Sequence, residues 1–323
     1  MTPARCADGG DAALAIGVDI GGTKIAAGVV NCDGRVLDRR VMPTPAVGGV
    51  KIIDLICTTV TEFRAHFAGI SAIGVGVGGW VKWPEGIVRF SPYIAFEDFP
   101  LQQSLAKAAG LPVMVDNDAN AASWAELNFG SGKGVGNMLM LTLGTGIGGA
   151  IIINGKLYRG SNNLGAEVGH IMIDPGGELC GCGNRGCFET RASGTALGRE
   201  GRSLLRRRPE VALASLLGDT KAVTGLAITD AAKAGDQTAR ELLSELGYWS
   251  GIGIASLVAI LDPELIVLTG GLAESGDLLL APLRRSLDQH IYARGSRCAP
   301  PIVTSALGSD AGLIGAAALC LCP

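Results

Sequence analysis

The sequence predicts an α/β fold of two domains, and three observations carry that prediction. The chain has 323 residues, more than one compact core usually encloses. Strand-like apolar runs lie among helical patterns along its length, the signature of layered α/β architecture. A glycine-rich hairpin pattern occurs twice, roughly 125 residues apart, which is too long a period for a solenoid and fits a duplicated domain.

The first copy is "ALAIGVDIGGTKIAAGVVNCDGRVL", Ala13 to Leu37. An apolar run, a glycine turn, a second apolar run, a turn at Asn31-Cys32-Asp33-Gly34 and a third short run read as three antiparallel strands. The second copy is "NMLMLTLGTGIGGAIIINGKLYRG", Asn137 to Gly160, with Asn154-Gly155 as its hairpin turn. Between the copies lie the strand-like "AIGVGVGG" (Ala72 to Gly79) and "LPVMVDNDAN" (Leu111 to Asn120), the latter followed by helix-like "AASWAEL". Residues from Arg199 to Leu243 read as helices. "GYWSGIGIASLVAILDPELIVL" is a helix running into a buried strand that ends on Gly270-Gly271, and "AGLIGAAALCLC" is a last helix. Facing glycine hairpins suit phosphate, because backbone N–H groups with no side chains in the way can point at anionic oxygens.

Composition narrows the function. The chain is 48% hydrophobic and 18% charged with a formal charge of −3, so neither nucleic acid nor an anionic membrane is an expected partner. Arg206-Arg207-Arg208 reads as a solvated helix end. No apolar stretch reaches about 18 unbroken residues, and the N-terminus has neither signal-peptide nor anchor character. Nine cysteines, an odd number unevenly placed, argue against a disulfide framework and for a reducing, cytoplasmic setting in which clustered cysteines bind metal. One such cluster is "GAEVGHIMIDPGGELCGCGNRGCFETR", Gly165 to Arg191.

Five motifs taken together resemble the ROK family of sugar kinases and repressors, within the actin-like ATPase superfamily. "DIGGTK" (Asp19 to Lys24) resembles its first phosphate loop and "LGTGIGG" (Leu143 to Gly149) its second. "TGG" (Thr269 to Gly271) resembles its adenosine motif, "DNDAN" (Asp116 to Asn120) its catalytic segment, and "GAEVGH…CGCGNRGCFE" its zinc signature. The resemblance runs from about Ile16 to Ala318. It implies a two-domain actin-like (ribonuclease H-like) sugar kinase fold with the active site in the cleft. Residues 14–128 plus 308–323 would form a small α/β domain, and 129–307 a large one carrying a structural zinc loop. It further implies ATP, Mg²⁺ and Zn²⁺ as cofactors and a homo-oligomer, a dimer first.

On this resemblance the zinc ligands are His170, Cys180, Cys182 and Cys187, spaced H-x9-C-x-C-x4-C. Three thiolates and an imidazole suit tetrahedral zinc, and four protein ligands leave no open position, so the metal is structural. It steadies a loop poor in apolar residues and rich in glycine, five between Pro175 and Gly186. The flanking Glu167 and Glu189, with His170, would then bind sugar. Asp118 would be the catalytic base, preferred to Asp116 because it matches the family's position. Asn117, Gly79 and Tyr93 would complete the sugar site, and Asn120 would cap the following helix. Asp19 would organise Mg²⁺. Gly21, Gly22, Thr23 and Lys24 would line the first phosphate loop, Thr145 and Gly146 the second, and Gly270 and Gly271 the adenosine site.

Two places depart from the pattern. "GVGGWVK" (Gly76 to Lys82) stands where many ROK glucokinases read GVPGPVD, and Pro92-Tyr93-Ile94 where many read PNL. Both changes bear on the C3 side of the sugar, so the expected substrate is a glucose-like hexose phosphorylated at its 6-hydroxyl, with 3-amino-3-deoxyglucose (kanosamine) as a candidate. Such an amino sugar would place the enzyme in antibiotic biosynthesis. A plain glucokinase, an N-acylhexosamine kinase and a non-catalytic sugar sensor are the alternatives. A repressor is disfavoured, since only about 15 residues precede Ile16, too few for a helix-turn-helix reader.

Overall fold

The computed structural model describes residues 13–45, 48–91, 94–211, 213 and 223–322. The chain forms two compact units. The first comprises the described residues within Met1–Gly136, Ile151–Ala166 and Ser305–Pro323, the second those within Asn137–Ala150 and Glu167–Thr304.

The first unit is built on a sheet of β1 (Leu14–Ile20), β2 (Lys24–Val30), β3 (Val36–Pro43), β4 (Ile70–Val77) and β8 (Val113–Asn117) in the order β3-β2-β1-β4-β8. β1, β2 and β3 are joined by antiparallel hairpins, and β4 and β8 continue the sheet in parallel. β1 is buried almost throughout, as a central strand covered on both faces must be. β3 lies at the edge and exposes Arg39 and Arg40, with Asp38 half-buried between them and Leu37, charges that discourage pairing with another chain.

Period-two alternation divides this sheet's two faces. Ile16, Val18, Ile73, Val75 and Val115 join Ile52, Ile56 and Phe63 of helix α1 (Val50–His66) and Leu101 and Leu105 of α2 (Leu101–Ala109) in one core. Ala15, Ala26 and Ala72 face Ala125 of α3 (Asp118–Phe129) and Leu313 and Ala317 of the last helix (Ala311–Leu321) in the other. That second face is cut very flat. A Cβ at Gly17 would collide with the Leu313 carbonyl, and one at Gly74 with that of Ala316, so the last helix rests directly on the backbone of β1 and β4. Three short strands, β5 (Trp80–Lys82), β6 (Ile87–Phe90) and β7 (Glu97–Phe99), form a separate antiparallel sheet.

The second sheet repeats the design. β9 (Met138–Leu143), β10 (Ile147–Ile153), β11 (Lys156–Leu157), β12 (Leu265–Thr269) and β13 (Ile302–Thr304) run in the order β11-β10-β9-β12-β13. β12 pairs in parallel with β9 and β13, as β4 does with β1 and β8. The two glycine-hairpin copies therefore fold alike, as an actin-like α/β protein requires.

Helices α4 (Glu189–Ala192), α5 (Gly194–Arg207), α6 (Gly225–Lys233), α7 (Gln237–Leu261) and α8 (Asp277–His290) complete the second unit, and the last helix of the chain is α9. α7 is long and apolar enough to cross a membrane by length and composition, but 56% of its most apolar window is buried within the fold. It serves as a core helix and packs against α8 through Gly247 and Gly251, where added side chains would meet Pro282 and Ser286. Cys57, Cys180, Cys182, Cys187, Cys298, Cys320 and Cys322 carry free thiols, whereas Cys32 is disulfide-bonded.

Candidate active site

In the first unit the sequence-predicted groups gather where β8 passes into α3. Asn117 is the N-cap: its Oδ1 accepts from the N–H groups of Ala119 (2.9 Å) and Asn120 (3.2 Å). Its Nδ2 donates to the Gly79 carbonyl at 3.1 Å. Gly79 has φ 127° and a Cβ there would run into the Phe90 carbonyl, so only glycine can present its oxygen this way. The cap expected of Asn120 is thus filled by Asn117. The helix starts two residues earlier than the expected cap, and Asn120 is left buried, donating from Nδ2 to Asp116 Oδ1 at 3.0 Å.

The two carboxylates of the segment have different fates. Asp116 is 2% exposed and fully occupied. Oδ1 accepts from the Asn117 N–H (2.7 Å) and from Asn120, and Oδ2 accepts Nε (2.9 Å) and Nη2 (2.6 Å) of Arg159. Asp118 opens α3, accepts the Ala119 N–H at 2.9 Å, and has its pKa raised by burial. Helix start and strand end together place it where α/β folds bind ligands.

Asp19 lies near Asp118. Alternation along β1 sends it to the α9 face after Ala15 and Gly17, and Gly312 makes room for it: a Cβ there would sit 2.6 Å from Oδ2. Burial and the Asp118 charge lift its pKa from 3.8 to about 6, against the pull of Lys24. A buried carboxylate facing a second carboxylate's charge attracts a cation. The β1–β2 turn is closed by the Gly21 N–H donating to the Lys24 carbonyl (3.0 Å), and Thr44 Oγ1 donates to the Gly21 carbonyl (2.7 Å). Gly22, Thr23 and Lys24 are exposed.

The second unit carries the other predicted groups. The β9–β10 turn, Gly144 to Gly146, is tied to the start of α5 by Gly194 N–H to Gly144 O (2.8 Å) and Thr195 Oγ1 to Thr145 O (2.7 Å). Gly144, Thr145, Gly194 and Thr195, with Gly198, Arg202, Thr224, Gly225, Leu226, Thr229, Gly271 and Leu272, line a cavity of about 490 Å³. Thr145 and Gly271 were expected there. The contributions of α5 and α6 were not, because Gly194, Gly198 and Gly225 make no recognisable motif. Gly270 precedes the cavity at φ 92°.

His170, Cys180, Cys182 and Cys187 converge, with all ligand atoms within 4.8 Å of one another. Cys180 Sγ is 3.6 Å from His170 Nδ1, and Cys182 Sγ is 3.6 Å from Cys187 Sγ. Zinc–sulfur bonds of about 2.3 Å set tetrahedral edges near ~3.7 Å, so both spacing and donor chemistry fit that ion. Burial raises the thiols of Cys180 and Cys187, while the backbone around Asn184 lowers that of Cys182. The loop folds on its own backbone, with Cys180 N–H to Asn184 O (2.7 Å) and Gly186 N–H to Glu178 O (2.9 Å). Arg191 Nε anchors it by donating to Asp174 Oδ2 at 2.7 Å.

Both predicted glutamates adjoin this cluster. Glu167 precedes a 3₁₀ turn, Val168–His170, and its carbonyl accepts the His170 N–H at 3.0 Å. Glu189 opens α4 beside the Cys/His cluster, its Oε1 3.0 Å from Cys180 Sγ and 3.6 Å from His170 Nδ1. Its Oε2 reaches over the second glycine turn, 2.7 Å from where a Gly146 Cβ would lie. Gly146 therefore admits the carboxylate. Since Nδ1 of His170 faces the thiols, its Nε2 is the atom left for another partner. Tyr93 lies outside the described residues.

The sequence matches the ROK family profile over residues 15–322. It is 43% identical over 309 residues to the glucokinase of Streptomyces coelicolor, covering 95% of this chain and 97% of that one. A solved ROK family glucokinase from Streptomyces griseus, in complex with glucose and AMPPNP, superposes with TM-score 0.84 at 41% identity, covering 95% and 98% of the two chains. The ROK hexokinase of Thermus thermophilus superposes with TM-score 0.76 at 37% identity over 94% and 96%. Profile, identity and fold agree with the placement of the five motifs: the chain belongs to the ROK family.

Proposed function

We propose that this protein is an ATP-dependent hexose kinase that transfers the γ-phosphate to the 6-hydroxyl of a glucose-like sugar. The observation that carries the reading is the state of Asp118: a carboxylate at a strand's C-terminal end, partly desolvated, beside Asp19, while its rival Asp116 is consumed by Arg159 and Asn120. Asp118 accepts the proton of the attacking hydroxyl. Phosphoryl transfer has a loose transition state, so alignment and charge neutralisation weigh more than base strength. The raised pKa still helps, because it brings the base nearer neutral pH.

Gly79 and Asn117, together with Glu167, His170 Nε2 and Glu189, are the groups that would bind the sugar. The backbone N–H groups of the two glycine turns hold phosphate, and the 490 Å³ cavity takes the adenosine. Mg²⁺ would be held by Asp19 and would neutralise phosphate charge. Zinc would be held by His170, Cys180, Cys182 and Cys187, a cross-link that fixes Glu167 and Glu189 relative to each other. A homodimer, after the family's habit, is the proposed assembly, to be checked by light scattering.

A second reading, kanosamine as the sugar, rests on Trp80. Its indole Nε1 donates to the Asn162 carbonyl at 3.2 Å and Arg89 lies over its ring, at a position where many ROK glucokinases carry proline. ADP release measured with glucose, kanosamine and N-acetylmannosamine decides between them, with phosphorus NMR to locate the new ester. Asp118→Asn is expected to keep sugar binding and lose turnover by at least ~10²-fold. Absence of ADP with every hexose, or turnover retained by Asp118→Asn, overturns the kinase reading.

A further inference from the structure

We propose that Arg159 is a positioning residue that sets the geometry of the catalytic segment through Asp116. The inference rests on Asp118 being the base. Asp116 sits two residues before it and is nine-tenths buried or more. An ionised carboxylate offers about four acceptor sites, and all four are taken here. Two bind the Asn117 N–H and Asn120 Nδ2, and so clasp the first turn of α3 from inside. The other two bind Nε and Nη2 of Arg159. Without Arg159 the inner pair of bonds belongs to a buried, half-satisfied charge, which then takes up a proton or turns toward water. Either response loosens the junction on which Asn117 and Asp118 stand.

Arg159 is itself held in place. Its guanidinium lies 4.1 Å from the centre of the Trp83 ring, and its side chain is 19% exposed. The Trp83 N–H donates to Asn163 Oδ1 (3.2 Å), Trp80 Nε1 to the Asn162 carbonyl, and the Gly165 N–H to the Arg159 carbonyl (2.8 Å). Residues 159–165 are thus closed on themselves by one bond and stitched to β5 and its flank at three points. A planar, bidentate guanidinium stacked on an aromatic face is a fixed tool, and lysine cannot reproduce it. Of the two neighbouring tryptophans, Trp80 stands where many ROK glucokinases carry proline.

The test compares Arg159→Met, Arg159→Lys, Asp116→Asn and the double variant Asp116→Asn/Arg159→Met with the parent enzyme. Arg159→Met is expected to lower kcat about 10²-fold, the cost of a ~1 Å misplacement of a catalytic group, with KM for ATP unchanged. Arg159→Lys falls between parent and Met. The double variant removes both charges, so it folds even where Arg159→Met does not, and its kcat equals that of the worse single variant. A loss of melting temperature with kcat preserved in the folded fraction assigns Arg159 a merely structural role and overturns the proposal. So do multiplicative losses in the double variant. Should Asp118→Asn be inactive while Arg159→Met turns over normally, only this inference fails. Should Asp118→Asn stay active, the kinase reading fails first.

Discussion

Asp19 makes a quantitative prediction about stability and pH. Its carboxyl is carried to the α9 face by strand alternation and is desolvated there, next to Asp118, so that its pKa rises from 3.8 to about 6. The native state therefore holds this proton over a pH range in which the unfolded chain has released it. Stability linked to Asp19 is full below about pH 4 and is lost as pH rises through 6. A shift of two units corresponds to about 3 kcal/mol at pH 8. Asp19→Asn removes that penalty. In EDTA the variant is expected to be more stable than the parent by about 3 kcal/mol at pH 8, and the gap should close toward pH 4. Urea unfolding across this range measures it, and added Mg²⁺ should narrow the gap at pH 8 by binding the parent's carboxylate. The same variant loses kinase activity. A stability difference that does not change between pH 4.5 and 8, or a variant less stable than the parent at pH 8, refutes the reasoning.

Two further outcomes follow from packing and metal chemistry. Cys182→Ser should bind less than one equivalent of zinc by atomic absorption and raise KM for sugar more than KM for ATP, since Glu167 and Glu189 lose their common frame; equal zinc content and unchanged KM would falsify the ligand assignment. Gly74→Ala drives a methyl group into the Ala316 carbonyl and should destabilise the first unit by about 3 kcal/mol, read by urea unfolding. An unaffected midpoint would mean that α9 does not sit on this strand.

The sequence made some of this legible for clear physical reasons. The repeated glycine hairpins are local patterns, and so is the thiol cluster. The strands, and the four converging side chains, fall where turn chemistry and spacing place them. The helix cap was harder. Asn117 and Asn120 are equally good capping residues, and only the point at which β8 ends decides between them. Arg159 was invisible because its partner lies 43 residues away and nothing near it in the chain is acidic enough to hint at a pair. The walls of the large cavity were hidden for the opposite reason. Gly194, Gly198, Thr224 and Gly225 are useful there because they are small, and small residues in helices carry no distinctive pattern. Cys32 likewise gave no sign of its disulfide, since lone spacings do not specify pairing.

The bare glycine backbone under α9 also bears on how the molecule is made. β1 leaves the ribosome long before the helix that covers its second face, which is encoded at 311–321. Until translation has passed that point, the flat floor of Gly17 and Gly74 has no roof. Every residue of the second unit lies before 305, so its whole sequence emerges while the first sheet still waits. The usual order of co-translational folding, early segments first, is thereby reversed, and nascent chains stalled short of α9 should expose the β1–β4 surface to chaperones.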